Sequence, residues 1–354
     1  MNSDNLKGNT LLARAEWSAP SNIALIKYWG KKEDQVPANA SLSMTLSQSI
    51  TLTSVQAFKG LKKDGITWDF YFDGKKNSAF EEKLQLFFSR IRGDVELGSD
   101  IHLEISSQNS FPHAAGIASS ASSMAALSLC LLSLEEQLKR ITYTQDEFLK
   151  KASRISRLGS GSACRSLYGG FSLWGKTGFI KFSSDKYAIP ITNFHQLFND
   201  LQDTILIVDS REKEISSSAG HELMNDHPFA NKRFIQAEEN LKNLLQCLEE
   251  GNWEGFSKLV ENEALSLHSM MLTSNPWYIL MKPHSLEIIK RIKDFRDKNG
   301  VQLTFTLDAG PNIHLLYPPE NSASIRDFIK SDLVPFCENG QIIDDQMGLG
   351  PVLH

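Results

Sequence analysis

Residues 111–123 read FPHAAGIASSASS, a glycine- and serine-rich turn between two regular segments. Before it, residues 101–107 alternate apolar and polar side chains, which predicts a strand. After it, residues 118–139 are mostly good helix formers, which predicts a long helix. Gly116 lets a ligand approach the backbone closely, and the first amide groups of a helix have no partner within it. The stretch therefore predicts an anion site at a helix N-terminus. A serine-capped helix after a turn would explain the same residues equally well.

This loop is not a Walker A motif, because GxxxxGK[ST] is absent. Any lysine that binds phosphate must therefore come from another part of the chain. Three further segments have the residues for such a site: APSNIALIKYWGK at 19–31, LGSGSACRSLYGG at 158–170 and LDAGPN at 307–312.

Each of these segments also has a purely structural interpretation. Lys27 and Lys31 are of the type most often found solvated at the surface. The glycine–serine run at 160–162 is compatible with a flexible linker, but a linker would not lead into Arg165 and a strand. Arg165 offers a planar fork of donors that matches carboxylate or phosphate. Asp308 at a strand end is placed either for catalysis or for capping the following turn.

Composition excludes several classes of function. The 354 residues are 41% hydrophobic and 22% charged, with a net charge of -5, so nucleic acid is not the expected partner. The first ten residues lack an apolar signal segment, and the longest nearly apolar run, 124–134, is too short to cross a bilayer. These features predict a cytoplasmic protein without a membrane partner. The four scattered cysteines indicate neither a zinc site nor a disulfide framework.

The pattern of elements predicts an α+β fold rather than a doubly wound parallel sheet, because strands and helices do not alternate regularly. A boundary between two lobes is expected in 185–200, dividing the chain into 1–190 and 191–354. Thr144 and Glu147 predict a capping box at the start of a helix over 144–156. Strands are also predicted at 48–58, 66–73, 204–209, 301–307 and 313–317, helices at 79–91, 216–224, 229–249, 252–270 and 284–298, and a hairpin of 169–174 with 179–182.

Together, the segments resemble the GHMP kinase superfamily and, within it, the diphosphomevalonate decarboxylase family. Members look like APxNIAxIKYWGK, PxNxSLSxTL, NxFPxAAGLASSAS, GSGSACRSLxGGF and DAGPN in that order. Here the second of these motifs is PANASLSMTL at 37–46, and the resemblance runs from about residue 17 to at least 317. The GSGSACRS and KYWGK strings are the specific part of the match, because other GHMP kinases share the serine-rich loop. His113 departs from the family pattern, since many members carry threonine there.

The resemblance implies two lobes, a ribosomal protein S5 domain 2-like N-terminal lobe and a GHMP C-terminal lobe, with the active site in the cleft between them. It implies ATP and Mg²⁺ as cofactors and a homodimer. The sequence itself shows no carboxylate cluster dedicated to magnesium, which is consistent with the few protein ligands that this ion takes. It assigns catalysis to Asp308, Lys27 and Arg165. The implied substrate-binding residues are Tyr28, Lys31, Ser160, Gly161, Ser162 and Arg165, and those on the ATP phosphate side are Asn109, Gly116, Ser119, Ser120 and Ser122.

The activity implied is ATP-dependent conversion of mevalonate 5-diphosphate to isopentenyl diphosphate, ADP, phosphate and carbon dioxide. Asp308 would accept the proton of the tertiary hydroxyl, with Lys27 beside it favouring the ionised carboxylate. Arg165 would hold the departing carboxylate. One alternative is a related enzyme on mevalonate or its monophosphate, either a kinase without decarboxylation or a phosphomevalonate decarboxylase. A second alternative is a non-catalytic metabolite-binding or scaffolding protein on the same fold.

Overall fold

The computed structural model describes residues 10–60, 65–112, 118–211 and 215–354. Within them, twelve strands and eight α-helices form an α+β fold of two lobes, as predicted. The strands are β1 Leu11–Ile26, β2 Ser41–Lys59, β3 Gly65–Phe72, β4 Lys75–Lys76, β5 Asp100–Asn109, β6 Phe171–Trp174, β7 Ala188–Ile191, β8 Gln202–Leu206, β9 Thr304–Thr306, β10 Ile313–Tyr317, β11 Ile342–Gln346 and β12 Val352–Leu353. The helices are α1 Ser78–Arg90, α2 Ser119–Lys139, α3 Gln145–Gly159, α4 Ser217–Glu222, α5 Ala230–Glu250, α6 Trp253–Leu272, α7 Pro283–Asn299 and α8 Ser322–Phe328.

The N-terminal lobe is built on a sheet in the order β12-β1-β2-β5-β3-β4, with β6 and β7 attached to one half of β2. Strand β2 can serve both groups because it is long: residues 51–59 pair with β5, and residues 41–44 pair with β6. Helix α2 packs on this sheet and is buried around most of its circumference. Its run of Ala, Leu and Met residues fits such a central position.

The second sheet, in the C-terminal lobe, has the order β11-β8-β10-β9; α6 and α7 contact β9, and α5 packs on α6. One apolar cluster contains residues of both lobes. Ile26 of β1 and Leu42 of β2 belong to the same cluster as Leu241 of α5, Phe256 of α6 and Ile205 of β8. The end of β1 is therefore held by residues of both lobes, and the residues that follow β1 lie between them.

The predicted capping box at α3 is confirmed. The Thr144 amide donates to Glu147 Oε2 at 2.9 Å, and the Glu147 amide donates to Thr144 Oγ1 at 3.3 Å. These two bonds satisfy amide groups that the start of a helix leaves without partners.

The predicted hairpin of 169–174 with 179–182 is wrong. Strand β6 pairs instead with β7, and residues 179–182 form no strand. Side-chain bonds fold the connection into a compact loop: Ser183 Oγ accepts from the Thr177 amide at 3.0 Å, and Asp185 accepts from the Lys176 amide at 2.7 Å. These hydrogen bonds compete with strand pairing, as short polar side chains commonly do.

Candidate active site

The first feature of the site is a salt bridge between the lobes. Lys27 follows the last residue of β1, and its Nζ lies 2.8 Å from Asp308 Oδ1 and donates to the Ala24 carbonyl at 2.6 Å. The Lys27 side chain is 1% exposed, whereas that of Asp308 is 28% exposed. Burial lowers the pKa of Lys27, and the charge of Asp308 opposes this effect. The carboxylate is thus held by a buried cation and remains partly exposed.

Backbone bonds hold Asp308 in place. It follows β9, and its carbonyl accepts from the Gly310 amide at 2.7 Å, which closes the turn of the DAGPN segment. The same carbonyl lies 3.0 Å from His268 Nε2 of α6. The turn and the carboxylate are therefore not alternative roles for Asp308, because its carbonyl makes the turn and its side chain meets Lys27.

Glu263 supports Lys27 from the C-terminal lobe. It is 0% exposed, and its Oε2 accepts from the Lys27 backbone amide at 2.9 Å and from Arg233 Nη2. Its Oε1 accepts from Asn240 Nδ2 at 2.7 Å. The sequence reasoning assigned no role to Glu263. It lies among Val260, Ala264 and Leu267 on the buried face of α6, and a glutamate at such a position signals a buried polar partner.

Arg165 is a buried cation without an acidic partner among the residues described. It lies in a short 3₁₀ segment, Gly161–Leu167, and is 2% exposed. Its Nη1 bonds Ser41 Oγ, and its Nε lies 3.4 Å from Asn22 Oδ1. Burial lowers the pKa of Arg165, while the charge of Asp308 acts in the opposite direction. Neutral partners orient the guanidinium, and its positive charge remains available to an anionic ligand.

Tyr28 lies against the glycine–serine run at 160–162. Its ring packs edge-on against Trp174, with centroids 4.7 Å apart, and its hydroxyl is buried without a hydrogen-bond partner in the described ranges. Burial raises the pKa of this hydroxyl. A Cβ at Gly161 would approach Tyr28 Cε1 to 2.9 Å, so only glycine allows this contact. The hydroxyl is therefore able to donate a hydrogen bond to a ligand.

The predicted ATP side centres on the N-terminus of α2. Asn109 at the end of β5 donates to Ser119 Oγ at 2.8 Å, and Ser120 Oγ lies 3.2 Å from Ser160 Oγ. The contact between Ser120 and Ser160 joins the start of α2 to the glycine–serine run at 160–162, and Ser160 Oγ is also 3.5 Å from Ser162 Oγ. The structure thus brings six of the predicted residues together near the start of α2: Asn109, Ser119, Ser120, Ser160, Gly161 and Ser162.

Gly116 and Ser122 are not among these six residues. Gly116 lies outside the described residues, as does His113. Ser122 is 0% exposed, and its Oγ is 2.6 Å from Thr51 Oγ1, so it faces β2 rather than the cleft. Helical spacing explains this placement, because Ser122 lies on the buried side of α2 when Ser120 is exposed. Its placement supports a role in anchoring the helix to the sheet and not one in donating to phosphate.

The residues present fit a nucleotide phosphate with a magnesium ion. The start of α2 offers amide groups and hydroxyl donors, a combination suited to phosphate oxygens. Within the described ranges, no group of three His, Cys, Asp or Glu side chains could hold a metal. Magnesium commonly binds through substrate phosphates and few protein ligands, so it would be held mainly on the nucleotide. No helix in the described part of the chain is long and apolar enough to span a membrane.

Comparison with known proteins identifies the family. Residues 19–188 match a diphosphomevalonate decarboxylase-like N-terminal domain, and residues 204–347 match a mevalonate 5-diphosphate decarboxylase C-terminal domain. The diphosphomevalonate decarboxylase of Candida albicans is 30% identical over 326 residues, which cover 88% of this chain and 86% of that protein. The chain belongs to the diphosphomevalonate decarboxylase family.

Solved structures of the family share the whole fold. The mevalonate diphosphate decarboxylase from Staphylococcus aureus is 30% identical with a TM-score of 0.82, covering 96% of this chain and 98% of that one. A complex of MDDEF with MVAPP, AMPPCP and magnesium is 28% identical with a TM-score of 0.82, covering 98% of this chain and 99% of that one. The family match confirms the two-lobed GHMP fold expected from the sequence.

Proposed function

We propose that this chain catalyses the ATP-dependent decarboxylation of mevalonate 5-diphosphate to isopentenyl diphosphate, with ADP, phosphate and carbon dioxide as the other products. The observation that carries the proposal is the ion pair of Lys27 and Asp308, buried on the lysine side and open on the aspartate side. Family membership supports the substrate, and the AMPPCP and magnesium of one related complex support ATP and Mg²⁺.

Asp308 orients the tertiary hydroxyl of the substrate and accepts its proton. A carboxylate within hydrogen-bond reach of a hydroxyl serves as a general base, and a positioned base contributes roughly 10²–10⁴-fold to rate. Lys27 fixes the carboxylate and stabilises its charge at 2.8 Å. Bound ATP with magnesium supplies the phosphoryl group that turns the hydroxyl into a leaving group.

Arg165 holds the substrate carboxylate as carbon dioxide departs. Ser41 and Asn22 orient the guanidinium before the substrate arrives, so little reorganisation is needed during reaction. Its hydrogen bonds to the protein are to the neutral groups of Ser41 and Asn22, so its positive charge remains available to the substrate carboxylate. The substrate diphosphate is held by Tyr28, Lys31, Ser160, Gly161 and Ser162. The ATP phosphates are lined by Asn109, Ser119 and Ser120.

The function is tested with purified protein, ATP, magnesium and mevalonate 5-diphosphate, following carbon dioxide and isopentenyl diphosphate together. Equal amounts of carbon dioxide, ADP and isopentenyl diphosphate are expected. ADP without carbon dioxide would identify a kinase. Preference for the monophosphate would identify a phosphomevalonate decarboxylase, and ATP binding without any product would identify a binding protein.

We also propose the division into lobes at 1–190 and 191–354, a homodimeric state and a cytoplasmic location. The match to the N-terminal domain ends at residue 188 and the match to the C-terminal domain begins at residue 204, which supports a boundary in this interval. Limited proteolysis should cut first between residues 188 and 204. Light scattering should give twice the mass of one chain, and cell fractionation should place the protein in the cytosol.

A further inference from the structure

His221 of α4 lies against two aromatic rings next to the candidate active site. Its imidazole centroid is 4.3 Å from that of Tyr28 and 4.6 Å from that of Trp29, with interplanar angles of 39° and 36°. The residue is 8% exposed. These contacts fix the position of the ring, although neither aromatic side chain offers it a hydrogen-bond acceptor in the observed packing.

One ring nitrogen has a defined role. The Gly30 amide donates to His221 Nδ1 at 2.9 Å, so Nδ1 is an acceptor and a neutral ring must carry its proton on Nε2. Burial, with the nearby charges of Lys31 and Arg165, lowers the pKa of His221 to about 3. The ring is therefore neutral near pH 7, and its Nε2–H has no acceptor among the residues described.

A second donor without an acceptor lies beside the first. The Tyr28 hydroxyl is buried and has no partner in the described ranges. An unsatisfied buried donor costs about 1–3 kcal/mol, so the Tyr28 hydroxyl, next to the His221 ring, points to an acceptor that arrives with a ligand. Lys31 and Arg165 contribute positive charge at the same place, which makes an anion the suitable ligand.

The neighbours of His221 are residues assigned to the substrate diphosphate. Its ring packs against that of Tyr28, and it accepts a hydrogen bond from the amide of Gly30, the residue before Lys31. The reacting hydroxyl lies beside Asp308 in the proposed mechanism. His221 therefore lies near the diphosphate end of the substrate.

We propose that His221 donates from Nε2 to the diphosphate of the substrate and, with Tyr28, favours a diphosphate over a monophosphate. This assignment rests on the proposed function and extends it to a residue outside the sequence motifs. Neutral donors suit this position, because Lys31 and Arg165 already provide charge and a third cation beside them would be repelled.

The test compares two substitutions that differ in the donor they keep. His221→Asn leaves a short polar group near the Gly30 amide and removes the distal donor, whereas His221→Gln retains a distal amide N–H. A hydrogen bond to a charged group is worth about 1.5–3 kcal/mol. At about 1.4 kcal/mol for each tenfold change, His221→Asn should raise KM for mevalonate 5-diphosphate by roughly 10–100-fold. We expect kcat and KM for ATP to change less than about threefold, and His221→Gln to recover most of the loss.

His227 provides a matched control. It is also buried, and its Nδ1 accepts the Phe229 amide at 3.1 Å, but its Nε2 already has a partner in the Met270 carbonyl at 3.0 Å. His227→Asn should leave KM for mevalonate 5-diphosphate unchanged. An equal rise in KM for both histidine variants would show a general packing effect and overturn the assignment, as would an unchanged KM for His221→Asn.

Binding of inorganic pyrophosphate separates this inference from the proposed function. Calorimetry should show weaker pyrophosphate binding to His221→Asn than to the wild-type protein, whether or not the wild type turns over the substrate. In the unsubstituted protein, the His221 Nε2 resonance should shift on addition of pyrophosphate, a readout that does not depend on a variant folding. The absence of that shift would contradict the proposal, whereas missing turnover with normal pyrophosphate binding would contradict only the proposed reaction.

Discussion

Lys27 and Asp308 illustrate how burial on one side of an ion pair prepares a functional carboxylate. A fully buried pair would be costly to desolvate, and an exposed pair would be weak because water screens it. Here the lysine is enclosed while the aspartate remains 28% exposed. The cation is therefore held in place, and the carboxylate can still contact a substrate.

Asp308→Ala tests the proposed base. We expect kcat to fall by on the order of 10²–10⁴-fold, which is the usual contribution of a general base. Removing the partner of a buried lysine lowers stability, but the Ala24 carbonyl still accepts from Lys27 and the charge of Glu263 remains near it, so a folded protein is expected. Steady-state kinetics with a circular dichroism check would measure this, using Asp297→Ala on the exposed face of α7 as the control. Substantial residual turnover by a folded Asp308→Ala enzyme would remove Asp308 from the mechanism.

Arg165→Lys tests whether the fork of the guanidinium matters. Lysine keeps the charge but cannot bond Ser41, Asn22 and a substrate carboxylate at the same time. We expect kcat/KM to fall by about 10²-fold or more, equivalent to about 2.7 kcal/mol of transition-state stabilisation. Arg154→Lys, at a half-exposed pair with Asp94, should have no such effect. Kinetics close to wild type for Arg165→Lys would contradict the carboxylate role.

At the scale of elements, the 3₁₀ segment Gly161–Leu167 connects the residues proposed to bind substrate with the packing of the N-terminal lobe. Its first residue contacts Tyr28, and Arg165 near its end reaches β1 and β2 through Asn22 and Ser41. The segment connects α3 to β6, so the positions of both ligand-facing groups depend on the packing of the N-terminal lobe.

Gly161→Ala tests this close packing. The added Cβ would lie 2.9 Å from Tyr28 Cε1 and 3.0 Å from the Trp174 ring, so one of the rings must move. Overpacking of this kind costs about 1–3 kcal/mol of unfolding free energy. We expect that loss in a urea titration, together with a raised KM for the substrate because Tyr28 is displaced.

Gly178→Ala is the appropriate comparison for Gly161→Ala. Gly178 is exposed, and a Cβ there would meet no atom within 4 Å. Its unfolding midpoint and KM should match those of the wild-type protein. If Gly161→Ala also matched the wild type, the contact with Tyr28 would not constrain the site.

At the scale of the whole molecule, the site depends on the two lobes being held together by Glu263. This residue of α6 binds the backbone of Lys27 at the end of β1 and the side chain of Arg233 on α5. The apolar cluster that spans both lobes also joins them, but apolar packing has no directional preference. The Glu263 bonds fix the end of β1 relative to α6 and hence Lys27 relative to Asp308.

Glu263→Ala is expected to weaken both stability and catalysis. Removing one member of a buried ion pair leaves the other charge uncompensated and costs about 3–5 kcal/mol. Urea unfolding should show this loss, and kcat should fall because Lys27 is no longer held. Glu254→Ala, on the exposed side of the same helix, should change neither quantity. A normal unfolding midpoint for Glu263→Ala would show that the contact does not stabilise the lobes.

Much of the fold follows from local sequence patterns. The alternation at 48–58 and 101–107, the helix formers at 118–139 and the capping box of Thr144 and Glu147 each specify a local conformation, and the structure contains all of them. The motifs around Lys27, Arg165 and Asp308 also identify the family, because strings this specific can be recognised from the sequence without knowledge of the fold. Their catalytic roles stay predictions until the variants are measured.

The tertiary structure decided the features that depend on residues far apart in the chain. Strand β6 pairs with β7 rather than with 179–182, because nearby polar side chains compete for the backbone of the connecting loop. Ser122 faces β2, and Glu263 meets Lys27 from 236 residues away. His221 accepts from the Gly30 amide only because folding brings the two residues together, and burial of its ring lowers its pKa. Sequence determines which groups are available, whereas burial and long-range contacts determine their charge, orientation and partners.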